Sequence, residues 1–430
     1  MPLSRRSLIA ASAALPLAPR LEAAPGPSSA APDDETFWAA IAAQYDVTKE
    51  VIQLENGNWG MMAEPVLTAY TAKLRRVNRE TSYFARRGLW PELTAIRANV
   101  AQRLGVAPEE IAFTRNATEA LKALHGGYNR LRPGDGVLYA DLDYDSVQAG
   151  FDWLAAHSGA DVVRIALPEP ASHQGLIDAY EAALKAHPRV RLMLLTHLSH
   201  RTGLVQPVRE IAAMARARGV DVILDAAHSW GQIPLSLPEL GVDFAGFNLH
   251  KWIGAPLGVG LVYIRKGCEG AIDTDMDNPL PGPGETAPAG AAARVHTGTL
   301  DYAAQLSVPD AFAFLDRVGP QALRSARLAH LRNAWAEDLR DLPGLEVLTP
   351  PDPRLHGGIT AFRIAGCTSA ADNTRIARRL LEEHRVFTVM RDGVAGGACV
   401  RVSPALFTSA RDVAALGTAL RALAPELRRG

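Results

Sequence analysis

Two side chains, Lys251 and Asp225, have the types and settings to do chemistry together. The segment VDVILDAAHSWG (220–231) is an apolar strand that ends in the carboxylate Asp225, and Lys251 follows in FNLHKWIG (247–254). A lysine amine can condense with an aldehyde. A carboxylate can hold a pyridine nitrogen protonated, so that the ring draws electrons from a substrate's α-carbon. These are the two functions that pyridoxal 5'-phosphate (PLP) asks of a protein. Taken singly, Asp225 reads better as a helix N-cap after a strand, and Lys251 as a surface lysine. Lys251 lies between His250 and Trp252, ahead of a Gly/Pro-rich turn and the apolar run 258–264, which is an awkward place for a solvated amine. Partial burial there would lower its pKa and favour the neutral form.

A phosphate needs a cradle, and FTRNATEAL (113–121) offers a turn into a helix with Asn116 and Thr118 at its start. Asn116 and Glu119 also have ordinary capping-box spacing, which explains the same residue types without an anion. Arg401 lies in CVRVS (399–403), an alternating strand that would present its guanidinium to one face. A planar fork of donors suits a substrate carboxylate, and a sheet-surface arginine is the alternative. His197, His200, His228 and His250 could in principle ligate a transition metal. They fall on separate strand ends without a helical HxxxH pair or a nearby cysteine, and a metal would leave Asp225 and Lys251 unexplained.

The elements that must position these groups alternate between short Val/Ile/Leu-rich runs and longer amphipathic stretches, the pattern of an α/β fold with a mostly parallel sheet under helices. Strands are expected at 136–140, 162–167, 191–196, 220–224 and 258–264, and a sheet of this kind gathers chemistry at its carboxyl ends. A Gly/Pro/Ala-rich stretch spans 273–293, and a single helix is expected over 302–318. Strands at 359–364 and 399–403 around a helix at 373–384 make a small closing α+β domain. The expected division is a leader at 1–32, a large domain with an N-terminal arm at 33–310, and a small C-terminal domain at 311–430.

With 48% apolar residues and a formal charge of −1 over 430 residues, the chain can bury a large core and has no charge bias toward nucleic acid or an anionic membrane. Three cysteines, Cys268, Cys367 and Cys399, lie far apart and form no CxxC pair, so neither a disulfide framework nor a structural zinc is indicated. SRRSLI (4–9) opens an Ala/Leu-rich run to Leu17, and a small-residue stretch follows to Pro32. This reads as a twin-arginine export signal and implies a periplasmic protein; the alternative is a disordered leader with two chance arginines. No later run is long and apolar enough to span a bilayer. A G-x-S-x-G elbow, a P-loop and a strand-linked G-x-G-x-x-G are all absent from the sequence.

Taken in order, NATEA (116–120), THLSHRTG (196–203), DAAH (225–228), HK (250–251) and TGT (297–299) resemble the class V aminotransferases, and within them the isopenicillin N epimerase-like branch. The resemblance runs from LENGNWG (54–60) to VRVS (400–403). It implies the PLP-dependent transferase fold of type I, with Lys251 forming the Schiff base, Asp225 on the pyridine nitrogen, and His228 and His200 near the phenolic oxygen. Asn116, Ala117 and Thr118 would surround the phosphate, helped by His250, and Tyr144 in DLDYDS (141–146) would stack on the cofactor face. Thr299 would reach the phosphate of a neighbouring subunit, which implies a homodimer with shared active sites. Arg401 and Asn58 would meet the substrate, with Arg401 on its carboxylate. The implied chemistry is transamination or epimerisation, with a PLP-dependent lyase or decarboxylase as the alternative. A metal-dependent hydrolase and a non-catalytic exported binding protein are the remote readings. Residues 380–397 contain no cysteine, so the loop nucleophile of the family's desulfurases has no counterpart. Export would expose the enzyme to amino acids or to amino-acid residues of secreted peptides.

Overall fold

The computed structural model describes residues 30–276 and 288–427. The twin-arginine segment therefore lies outside the described residues, as does the centre of the Gly/Pro/Ala-rich stretch. Seven strands form one sheet in the spatial order Ile111–Thr114, Gly260–Ile264, Phe244–Asn248, Asp221–Asp225, Val190–Thr196, Gly136–Ala140, Asp161–Ile165. The last five of these pair in parallel. Gly260–Ile264 runs antiparallel beside Phe244–Asn248 and carries the antiparallel edge strand Ile111–Thr114. The central strands are apolar on both faces, as helices on both sides require.

From Gly136–Ala140 the chain builds outward to Asp161–Ile165, then returns to lay Val190–Thr196 on the opposite flank of the first strand. The connections leave in opposite directions at that point, so a crevice opens past the carboxyl ends of the strands. The helix Ala117–Gly127 starts at this edge. Its N-cap Asn116 is extended and accepts the Glu119 amide at 2.8 Å. Gly260 lets the neighbouring strand lie tight against that helix start, because a Cβ there would sit 2.6 Å from the Asn116 backbone.

A second sheet is wholly antiparallel, in the order Val389–Arg391, Cys399–Val402, Thr360–Ile364, Leu345–Val347. It packs with the helices Ala370–His384 and Ala410–Leu427 around Trp335, Phe362 and Leu416. Leu54, from the other end of the chain, belongs to the same core. The arm reaches it because Ile52–Gln53 pairs in parallel with Val386–Phe387 and Glu55 bridges to Ser403. Residues 54–60 are thereby carried to the crevice. The helix expected over 302–318 is instead two, Tyr302–Leu306 and Val308–Val318, parted at Ser307. Pro309 explains the break, since its ring lacks an N–H and would clash with the carbonyl four residues back in a continuous helix.

Candidate active site

A cavity of about 510 Å³ occupies the crevice. Asp225 is the last residue of its strand, Asn248 ends the next, and Lys251 lies in the turn that leads from Asn248 toward Gly260. All three line the cavity. Lys251 Nζ is 2.8 Å from His228 Nε2. Burial pushes the amine down to about 7, against the opposing pull of Asp225, so much of it is neutral at neutral pH. The same burial lifts Asp225, whose carboxylate accepts the Ala227 amide at 2.9 Å.

Beside Asn248 stands the N-terminus of helix Ala117–Gly127. Asn116, Ala117, Thr118 and His250 line the cavity there. The Ala117 amide is already taken by Asn248 Oδ1 at 2.8 Å, and the Asn116 side chain is spent on the Glu119 amide. Among the described residues, the amide and hydroxyl of Thr118 keep no hydrogen-bond partner. His250 Nδ1 is 3.1 Å from the Val259 carbonyl, which fixes the ring.

Tyr144 and His200 form the side wall, their rings edge to face at 5.2 Å, and His200 lies 6.5 Å from His228 with the planes nearly parallel. Burial holds both histidines well below the ordinary histidine range. Among the described residues no three His, Cys, Asp or Glu side chains come together as a metal-binding group.

Arg401 also lines the cavity, almost wholly buried, with Nη1 donating to the His200 carbonyl at 2.6 Å and Nη2 to Glu55. Arg391, also on the cavity wall, lies 3.5 Å from the same Glu55 oxygen. Asn58 lines the cavity beside them. Gly57 permits the approach, since a Cβ there would meet the Arg401 guanidinium at 2.8 Å. Thr299 is exposed and is not part of this cavity. Glu55, Arg391 and Asn248 were not anticipated; the only cue to Glu55 was its place inside the LENGNWG segment. The three cysteines are free and buried, and burial pushes the Cys399 thiol up to about 12.

A model of the family "aminotransferase class-V" matches residues 63–416. Isopenicillin N epimerase of Streptomyces clavuligerus is 28% identical over 400 residues, covering 90% of this chain and 99% of the relative. That of Amycolatopsis lactamdurans is 30% identical over 404 residues, with the same two shares. A putative L-cysteine desulfhydrase of Oryza sativa subsp. japonica is 31% identical over 360 residues, covering 79% and 73%. Among solved structures, a C-DES mutant with glycine covalently linked to its PLP cofactor superposes with a TM-score of 0.77 at 24% identity, covering 88% of this chain and 98% of that one.

Proposed function

For a chain that belongs to the class V aminotransferase family, on its isopenicillin N epimerase-like branch, and is a PLP-dependent enzyme, we propose action at the α-carbon of an amino acid, by epimerisation or transamination, with Lys251 carrying the cofactor as a Schiff base. The observation that carries this reading is a single one: a half-buried lysine amine, pushed down to about 7, shares a cavity with a buried carboxylate near the carboxyl ends of adjacent strands.

The residues fit the cofactor. Asp225 would hold the ring nitrogen, the unpartnered donors of Thr118 with the helix N-terminus would hold the phosphate, and Tyr144 would cover the ring. When bound, PLP supplies an electron sink that eases removal of the α-proton. Lys251 Nζ, pushed down to about 7 and so available in both forms near neutral pH, is suited to take and return that proton. Arg401, held by Glu55 and the His200 carbonyl, presents an oriented guanidinium for the substrate carboxylate. A periplasmic enzyme, exported through the twin-arginine leader and working as a homodimer with Thr299 near the partner's phosphate, would take a free amino acid or a residue of a secreted peptide. A β-eliminating lyase is the second reading, favoured by the 31% identity to a putative L-cysteine desulfhydrase.

The test begins with protein purified in the presence of PLP. A visible absorption band and, after borohydride reduction, a pyridoxyl group on the peptide holding Lys251 are expected, and Lys251→Ala should show neither. A colourless protein, or a label elsewhere, refutes the assignment. Incubation with free amino acids and with peptides in deuterated water then separates the outcomes by mass spectrometry. α-Deuteration with inverted configuration marks an epimerase, a keto acid marks a transaminase, and release of the side-chain sulfur marks the lyase.

A further inference from the structure

His228 makes two contacts through its ring. Its Nε2 lies 2.8 Å from Lys251 Nζ, and its Nδ1 lies 3.3 Å from the indole nitrogen of Trp252. An indole N–H can only donate, so Nδ1 must be the acceptor. In a neutral imidazole one nitrogen accepts and the other carries the proton, and the partner of one decides the state of the other. The opposite tautomer would set two N–H groups against each other inside the protein, with no acceptor for either, at a cost typical of buried unsatisfied donors. The ring is 5% exposed, so water is a poor substitute partner.

Both partners are held in place. The His228 carbonyl accepts from Gln232 Nε2 at 2.9 Å. Trp252 packs against Leu198, Val205, Ile233 and Ile359. Gly231 brings the two segments together, since a Cβ on it would lie 2.7 Å from the Trp252 carbonyl carbon. The charged or titratable groups that act on His228 and Lys251 are Asp225, Glu55, His200, Arg391 and Arg401. Among the described residues none of these hydrogen-bonds the imidazole, which leaves Trp252 as the group that sets its proton position.

We infer that Trp252 is a positioning residue: its indole N–H holds His228 in the Nε2-protonated tautomer, so that the ring presents a donor, never an acceptor, to the Lys251 side of the cavity. The Lys251 amine then receives that hydrogen bond through its lone pair, which requires the neutral amine and keeps the ammonium form disfavoured. This rests on the PLP reading only for its spectroscopic test, because the tautomer is a property of the protein alone.

Trp252→Phe keeps an aromatic ring in the apolar pocket and removes the N–H. In PLP-loaded protein, the visible band is followed against pH in the wild type, Trp252→Phe, His228→Gln and the double variant. Trp252→Phe is expected to move the midpoint by about half a pH unit or more, roughly threefold in proton affinity. In the His228→Gln background no ring proton can relocate, and the same substitution should leave the midpoint in place. Equal shifts in both backgrounds, or none in either, overturn the inference. Nitrogen-15 spectra of histidine-labelled wild-type protein decide the matter if Trp252→Phe does not fold: a pyrrole-type Nε2 and a pyridine-type Nδ1 are expected for His228, and the reverse overturns it. A protein without any visible band refutes the PLP reading, and the nitrogen-15 result still settles the tautomer.

Discussion

Replacing Lys251 by methionine should make the cofactor-free protein more stable, by an amount that depends on pH in a predictable way. Methionine matches the lysine side chain up to its terminal nitrogen and removes the group whose charged form burial disfavours. The amine is lowered from 10.5 to about 7 in the folded protein, burial being the largest cause. A base with a lowered folded pKa binds fewer protons folded than unfolded between those two values, so its contribution to stability falls as pH drops from 10.5 toward 7 and levels off below. At about 1.4 kcal/mol for each pH unit, the whole interval corresponds to about 5 kcal/mol. Loss of the His228 contact changes the absolute stability of Lys251→Met, and the slope of the difference isolates the lysine's titration. Urea unfolding at pH 7.5, 8.5 and 9.5 is the assay. The advantage of the variant should shrink with rising pH by about 3 kcal/mol across that range. Parallel profiles for the two proteins would show that the amine titrates as an ordinary solvated lysine, and the argument for a neutral amine would be lost.

Three further outcomes follow from the site. Asp225→Asn keeps the shape and removes the charge, so the visible band should persist while turnover of the best substrate falls by about 10²–10³, as for loss of one preorganised electrostatic partner; turnover within tenfold of wild type refutes the assigned role. Thr118→Val should weaken PLP about ten- to a hundredfold in equilibrium dialysis, the loss of one hydrogen bond to a charged group worth about 1.5–3 kcal/mol, and unchanged affinity places the phosphate elsewhere. Glu55→Ala leaves the buried Arg401 guanidinium without its carboxylate and should cost about 3–5 kcal/mol of stability in urea. Most of that cost should vanish when Arg401→Met is added, and simple additivity of the two changes would show that the pair is not coupled.

The parts of this site that were legible in the sequence are those set by local pattern. Asp225 ends an unbroken apolar strand, and Lys251 follows a second strand so closely that the sheet brings both to one edge. Arg401 was readable from the alternation around it, but its partner was not. Glu55 is 346 positions away, and it arrives through a two-residue strand, Ile52–Gln53, too short to show any period. Asn248 reads locally as the end of a strand, and its capping of the Ala117 amide exists only once the sheet has formed. Ile111–Thr114 was passed over because four residues carry little pattern, and Phe244–Asn248 because Gly246 interrupts its apolar run. Ser307 gave no sign of a helix break by itself; Pro309 did, and at an early helical position a proline is equally compatible with a start.

Charge balance ties the ends of the cavity together. Burying an ion is costly unless an opposite charge or several hydrogen bonds answer it. At the arginine end the account is nearly complete, since Glu55 answers Arg401 and lies beside Arg391, leaving a net positive charge for one substrate carboxylate. The Asp225 carboxylate is different. Its hydrogen bond among the described residues comes from the Ala227 amide, and the cation that acts on it, Lys251, is itself pushed down to about 7 by burial. The helix start at Thr118 has the reverse character, presenting N–H and O–H donors to the cavity. One small molecule with a cationic ring nitrogen and a phosphate would answer both, and burial shifts the Lys251 amine toward the neutral form that condenses with an aldehyde. The electrostatics that burial makes costly in this cavity are therefore the same ones that suit the coenzyme.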